Sequence, residues 1–321
     1  MTDDVLVTGG TGFIGRHLCE RLAADGCRVG VLSRRADPPD ALAGVVADWH
    51  TGDVRDADAV AEAVAAHEDV YHFAGVGLAD ADPDTVRSVT VMGTRNALDA
   101  CREHDAGRVV FASTAGTRRA PGRTPATEAD LARPVGAYQE AKHTAETLVA
   151  EYVAAGGDAV TVHPSSVVGP GDERFTGRLL GAVTGSLPFS LPGGVSFVGV
   201  EDVVAGTVAA MRGGRRGAHY LLGGENLTYE EALTVLADAA DADPPSVVLP
   251  PRLVRAAGPV AGAVNAALGT RFFPVNRRMA RLATETLFCD STRARRDLGY
   301  DPAPLAAHAD AAVEWWRERK A

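Results

Sequence analysis

Along the first half of the chain, short unbroken apolar runs alternate with longer stretches in which apolar residues return every three or four positions. The runs Val5 to Thr8, Arg28 to Ser33, Val45 to Ala47, Val70 to Phe73, Val109 to Ser113 and Val160 to His163 predict strands. Helical spacing predicts helices over Phe13 to Ala24, Ala57 to Ala66, Pro83 to Glu103 and Gly136 to Ala155. Strands that are apolar on both faces belong to a sheet covered by helices on both sides, so the alternation predicts βαβ units and a doubly wound parallel sheet in an α/β fold.

Beyond Pro164 the rhythm loosens. Pro/Gly-rich segments at Gly169 to Gly171 and Leu187 to Gly194 precede a strand, helix and strand through Phe197, Glu201 to Met211 and Ala218 to Leu222. The pattern predicts a sheet domain of residues 1–165 and 196–222, with a smaller discontinuous region, 166–195 and 223–321, capping the carboxyl ends of the strands. Ligands bind there in open α/β sheets. The weakly polar stretch Leu253 to Leu268 is broken by Gly258, Pro259, Gly262 and Asn265 and falls short of the roughly 20 apolar residues a bilayer span needs, so it reads as a helical surface element. No internal repeat or low-complexity tract is present.

Charge narrows the partners. With 32 basic and 42 acidic residues the formal net charge is −10, which argues against nucleic acid. Of the basic clusters, Arg118-Arg119, Arg212 to Arg216, and Arg252, Arg255, Arg277, Arg278 and Arg281 are expected on solvated faces. Cys19, Cys27, Cys101 and Cys289 form no CxxC pair and have no metal-ligand spacing with the nine histidines, so they are expected reduced, with no disulfide framework and no metal. The opening MTDDVLVTGG lacks the basic segment of a secretory signal, and a cytoplasmic location is expected.

Immediately after the first strand, Thr8-Gly9-Gly10-Thr11-Gly12-Phe13-Ile14-Gly15 satisfies both G-x-G-x-x-G and G-x-x-G-x-x-G. Glycines at a strand-to-helix turn admit a pyrophosphate close to the backbone, and the helix start directs free N–H groups at it, so Gly9, Gly12, Phe13, Ile14 and Gly15 are expected at a dinucleotide. This makes the fold Rossmann-type. About twenty residues on, where an NAD site offers a carboxylate to the ribose, the chain has Ser33 and Arg34. A guanidinium suits a 2′-phosphate, so NADP(H) is preferred and NAD(H) is the alternative. Asp53 either accepts from the adenine amino group or caps a helix.

Tyr138 and Lys142 lie four apart on one helix face, in a chain whose only other lysine is Lys320. Beside a hydride carrier the phenol can exchange a proton with a carbonyl or alcohol oxygen. Lys142 and a cationic nicotinamide are expected to lower its pKa. Thr114 or Ser113, at the end of the fifth strand, can orient that oxygen. His163 is expected either to touch the nicotinamide region or to be structural. His72 and Phe73 either line the cofactor channel or pack, and Trp315 and Trp316 read as core and surface anchors. Alanines 137, 141 and 145 suit close packing of a second helix, which makes a homodimer plausible.

These motifs, with GDVRD at 52–56, YHFAG at 71–75, MGTRNALDA at 92–100, VVFASTAGT at 109–117, HPSSVVGPGD at 163–172, FVGVEDVV at 197–204, YLLGGENLT at 220–228 and STRARRDLGYDP at 291–302, are similar to the extended short-chain dehydrogenases/reductases of the NAD(P)-dependent epimerase/dehydratase superfamily. FASTAGT and PSSVVGPGD look most like the dihydroflavonol reductase, hydroxysteroid dehydrogenase and hopanoid-associated epimerase-like branch. The resemblance implies Thr114, rather than Ser113, as partner of Tyr138 and Lys142. It extends the cofactor set to Val54, Phe73, Ala74, Gly75, Pro164, Ser166 and Val167, alongside Tyr138 and Lys142 themselves. Departures are informative. Ala115-Gly116 stand where nucleotide-sugar dehydratases have Asp-Glu, which disfavours water elimination, and His163 and Ser166 stand where sugar-nucleotide epimerases tend to have Arg and Asn. Thr90 replaces a usual Asn, and Gly199 a common His.

The reading that follows is an NADP(H)-dependent oxidoreductase interconverting a carbonyl and an alcohol on a small molecule. A sugar epimerase with retained cofactor and a non-catalytic dinucleotide-binding sensor or assembly subunit are the alternatives.

Overall fold

The computed structural model describes residues 4–77, 82–185, 188–256 and 277–320. Its large sheet contains β1 (Asp4–Thr8), β2 (Arg28–Ser33), β3 (Asp48–Thr51), β4 (Asp69–His72), β5 (Arg108–Ala112), β6 (Asp158–Pro164) and β10 (His219–Leu222). All seven strands run parallel in the order β3-β2-β1-β4-β5-β6-β10, so the winding direction reverses between β1 and β4 and opens a crevice there.

Alternation along β1 shows why the strands are apolar throughout. Val5 and Val7 pack with Leu18 and Leu22 of α1 (Phe13–Ala24) and Val203 and Val208 of α7 (Val200–Gly213). Leu6 turns to the other face, against Val64 of α2 (Ala57–Ala65), Leu98 of α4 (Gly93–Glu103) and Val149 of α5 (Ala137–Ala154). Both faces are therefore covered, as a parallel sheet requires.

The third strand lies at Asp48–Thr51 rather than Val45 to Ala47. Leu42 turns the chain, its carbonyl accepting from Val45 and Val46, and these valines pack onto the core from that turn. The strand itself is a sheet edge, where polar side chains reach solvent. Phe73 and Ser113 fall just past β4 and β5. The helix expected over Pro83 to Glu103 comprises α3 (Pro83–Arg87), a π-helical turn (Ser88–Met92) and α4. Ala141 and Ala145 of α5 are buried within this chain, so they are not available to a second copy.

A four-stranded sheet is built from β7 (Ser166–Val168), β9 (Gly194–Gly199), β11 (Glu225–Thr228) and β13 (Thr286–Leu287). Phe197 thus pairs in this smaller sheet, whereas the following α7 and β10 return to the large one. Around the small sheet, α6 (Thr176–Thr184), α8 (Tyr229–Ala240) and the helix Ala306–Lys320 bury Leu180, Leu236 and Val313. The pair β8 (Phe189–Ser190) and β12 (Val247–Val248) completes the strands. Most of the stretch Leu253 to Leu268, and the side chains of Arg277 and Arg278, lie outside the described residues. Among the described residues no helix is long and apolar enough to cross a membrane.

Candidate active site

Every residue singled out for cofactor or catalysis lies at or just beyond the carboxyl end of a strand of the large sheet, or in the first turns of the helix that follows. Gly9 turns the chain after β1 with φ +76, and a Cβ there would sit 2.6 Å from the Ala74 nitrogen. A Cβ on Gly15 would sit 2.2 Å from the Gly9 carbonyl oxygen. These contacts demand glycine and bring Phe73 and Ala74 against the turn. Gly12 caps α1 without a side-chain acceptor, and no acidic residue occupies its first turn. The amide dipoles of Phe13, Ile14 and Gly15 therefore face no carboxylate, which suits an incoming anion.

At the ends of β2 and β3, Ser33 is half-buried and Arg34 is exposed. Asp53 accepts from the Arg55 side chain at 3.0 and 2.7 Å and from its backbone N–H at 2.9 Å. The Arg55 bond holds its carboxyl below the usual range. Asp56, not Asp53, caps α2. Val54 is buried against Gly93, and its carbonyl accepts from Asn96. Pro164 ends β6, and Ser166 and Val167 form β7, where the chain leaves the large sheet for the small one. The following loop returns to α1: the Pro170 carbonyl lies 3.0 Å from His17.

The structure brings Tyr138, Lys142 and Thr114 together. The half-buried Tyr138 lies against the Thr114 side chain. Lys142 is buried; its Nζ donates to the Ala112 carbonyl at 2.6 Å and would be 3.4 Å from a Cβ on Gly75. Burial lowers the Lys142 pKa to about 8, with Glu146 pulling the other way. Burial raises the Tyr138 pKa, with the Thr114 hydroxyl pulling the other way. Ser113 is committed elsewhere, donating to the Glu146 carboxylate.

Glu146 opens onto a network that sequence reasoning missed. Arg118, expected on a solvated face, is buried and pairs with Glu146 at 2.9 Å. It donates to Thr117 at 2.9 Å and to the Glu128 carbonyl at 2.8 Å, and lies 3.2 Å from His219 Nδ1. His163, fully buried, lies 2.9 Å from His219 and 3.8 Å from Glu146. It therefore belongs to this buried network. Burial pushes its pKa down to about 3. Burial also opposes ionisation of Glu146, but His163, Arg118 and the Ser113 hydroxyl outweigh it and hold the carboxyl below its usual range. Glu146, His163 and His219 bring donor atoms within 4.8 Å of one another, yet the guanidinium among them already supplies the cation. The signal that could have found Glu146 is its spacing, four residues beyond Lys142.

Beneath the glycine turn, His72 Nδ1 lies 2.8 Å from Thr8 Oγ1 and Nε2 lies 3.1 Å from Thr94 Oγ1. Thr94 donates to the Thr90 carbonyl at 2.6 Å, so it accepts from Nε2–H, and Thr8 donates to Nδ1 while accepting from Ala74 N–H. One neutral tautomer satisfies the chain of bonds. Burial drives the His72 pKa down to about 3.

Residues 5–223 match the NAD dependent epimerase/dehydratase family. The chain belongs to that family. It is 33% identical to sterol demethylase protein B of Methylococcus capsulatus over 98% of each chain. It is 28% identical to a putative dihydroflavonol 4-reductase of Synechocystis, covering 99% of this chain and 95% of the relative. The structure of the UDP-glucose 4-epimerase of Thermus thermophilus in complex with NAD superimposes with a TM-score of 0.78 at 25% identity over 98% of each chain. The family member described here is thus an extended short-chain dehydrogenase/reductase, and its glycine turn falls within the matched segment.

Proposed function

We propose that this family member is an NADP(H)-dependent oxidoreductase that interconverts a carbonyl and an alcohol on a small molecule, with Tyr138 as acid and base. The observation that carries the reading is the placing of Tyr138 against the Thr114 side chain just past the end of β5, with the buried Lys142 one turn along α5 and bonded to Ala112. In the reducing direction Tyr138 donates its proton to the substrate oxygen and Thr114 orients that oxygen; in the oxidising direction Tyr138 takes the proton back. Lys142, fixed by the Ala112 carbonyl, holds a positive charge near the developing phenolate.

Gly9, Gly12, Phe13, Ile14 and Gly15 hold the pyrophosphate in this reading, Ser33 and Arg34 the 2′-phosphate, and Asp53 and Val54 the adenine. Phe73, Ala74, Gly75, Pro164, Ser166 and Val167 line the nicotinamide side with Tyr138 and Lys142. The nicotinamide, when bound, supplies or accepts the hydride. The neutral Ser33 and exposed Arg34 favour NADP(H) over NAD(H).

A panel of ketones and aldehydes tests this. NADPH absorbance at 340 nm is expected to fall, faster than that of NADH, and Tyr138→Phe is expected to lose about 10²- to 10⁴-fold in turnover, the range of general acid catalysis. Undiminished turnover by that variant overturns the assignment. Protein that instead retains NAD tightly and causes no net absorbance change while inverting a sugar centre is an epimerase.

A further inference from the structure

Tyr138, Lys142 and Glu146 repeat every four residues on α5 and so share one face. That face meets three consecutive residues at the end of β5: Lys142 donates to Ala112, Glu146 accepts from Ser113, and Tyr138 lies against Thr114. Two of these three contacts belong to the acid–base site. The third has no role in the reaction as described, yet it is made by a buried carboxylate adjacent to both.

Holding a charge there is costly. A buried ion pair such as Glu146 with Arg118 contributes little net stability over apolar side chains of the same volume. The pair nevertheless sits one helical turn from Lys142 on the same face of α5. We propose that Glu146 is a positioning residue for proton transfer: its carboxylate locks Ser113, and through it Thr114, against α5, and supplies the fixed negative charge that keeps Lys142 protonated beside Tyr138.

Lys142 also interacts with His72 on β4. Among the described residues, the groups facing Glu146 are Lys142 on α5, Ser113 after β5, Thr117 and Arg118 in the next turn, and His163 on β6, with His219 on β10 behind it. Burial lowers the pKa of both histidines, leaving Arg118 as the lasting partner of Glu146 at neutral pH. At Lys142, Glu146 opposes the effect of burial.

The inference rests on the reading of Tyr138 and Lys142 as the acid–base pair, and the test separates the two. Because Lys142 and Lys320 are the only lysines, protein labelled with ¹³C at lysine Cε gives two signals, assigned with Lys320→Arg. In the cofactor-free protein the Lys142 signal is expected to titrate about one pH unit lower in Glu146→Gln than in wild type, a roughly tenfold loss of proton affinity. Glu146→Asp, which keeps the charge, is expected to restore most of it. Turnover in Glu146→Gln is expected to lose its alkaline limb at correspondingly lower pH.

If Glu146→Gln does not fold because Arg118 is left unpaired, Arg118→Met/Glu146→Gln removes both charges, and the Lys142 midpoint is expected to fall in it by less than in the single variant because loss of the guanidinium partly offsets loss of the carboxylate. An unchanged Lys142 midpoint in the folded variant overturns the role of Glu146. Normal turnover by Tyr138→Phe overturns the acid–base reading instead and leaves the lysine titration to be judged alone.

Discussion

His72 at the end of β4 and His163 at the end of β6 are both fully buried imidazoles at the carboxyl edge of the sheet, yet their surroundings differ in kind. His72 is caged by two threonine hydroxyls and stacks on Phe111 with ring centroids 5.9 Å apart. His163 lies against a second histidine and a carboxylate paired to a guanidinium. The first cage lies under the glycine turn, where backbone amides and a helix dipole provide the positive potential, and its hydrogen-bond partners are uncharged. The second lies behind Tyr138 and Lys142, where a proton is proposed to move and a fixed charge can set which group keeps it. The difference shows that one sheet edge carries two electrostatic designs, one built from dipoles and one from ions.

The largest effect that could break this comparison is on stability. Arg118→Met leaves Glu146 as a buried carboxylate without its fixed cation, and a loss of about 3–5 kcal/mol is expected from urea unfolding at pH 7. His72→Phe keeps the stacking partner and leaves Thr94 its bond to Thr90 and Thr8 its bond from Ala74, so a loss of about 1–2 kcal/mol is expected. Equal losses would mean that the charged network is no more demanding than the hydroxyl cage.

A second effect sharpens the likeness rather than the difference. Both imidazoles are held to about 3, below the roughly 6.5 of an unfolded histidine. The unfolded chain then binds the protons, so stability is lost as pH falls below about 6.5 and continues to fall toward 3, by about 1.4 kcal/mol per pH unit for each histidine. Comparing wild type with His72→Phe at pH 7 and pH 5 isolates one share: the difference between them is expected to move by about 2 kcal/mol in the variant's favour, which cancels or reverses its deficit at pH 5. A deficit that does not change would show that His72 is protonated equally in both states.

The dipolar design was legible in the sequence and the ionic one was not. The turn at Gly9 to Gly15 is contiguous, Gly9 and Gly15 press on neighbouring backbone, and strand and helix flank it in the chain. Tyr138 and Lys142 were legible for the same reason, being one helical turn apart. Arg118 read as surface because its neighbour Arg119 suggested a charge run, while its partner Glu146 stands on another element. His163 and His219 come together only through the pairing of β6 with β10. The Val45 to Ala47 run misled because apolar residues serve a packed turn as well as a strand. Ala141 and Ala145 of α5 pack inside the chain, because small residues suit close packing within a chain as much as between chains.

The smallest effect expected runs in the opposite direction of pH and comes from a third histidine outside the sheet edge. His308, on the helix Ala306–Lys320, lies 2.8 Å from Asp202 and 3.5 Å from Glu201 in the first turn of α7, packed where a Cβ on Gly199 would meet its ring. The bonds to Asp202 and then Glu201 raise its pKa to about 9. Here the folded state binds the proton more tightly than the unfolded chain, so the stabilisation is full below about 6.5 and disappears as pH rises through 9. Glu201 is largely exposed and solvent screens its share, so the contribution is about 1 kcal/mol rather than the full linkage value. His308→Gln is expected to unfold at lower urea than wild type at pH 6 and to converge with it near pH 10. A deficit that instead persists unchanged to pH 10 would assign His308 to packing of the last helix, because only an ion pair with the start of α7 requires the proton.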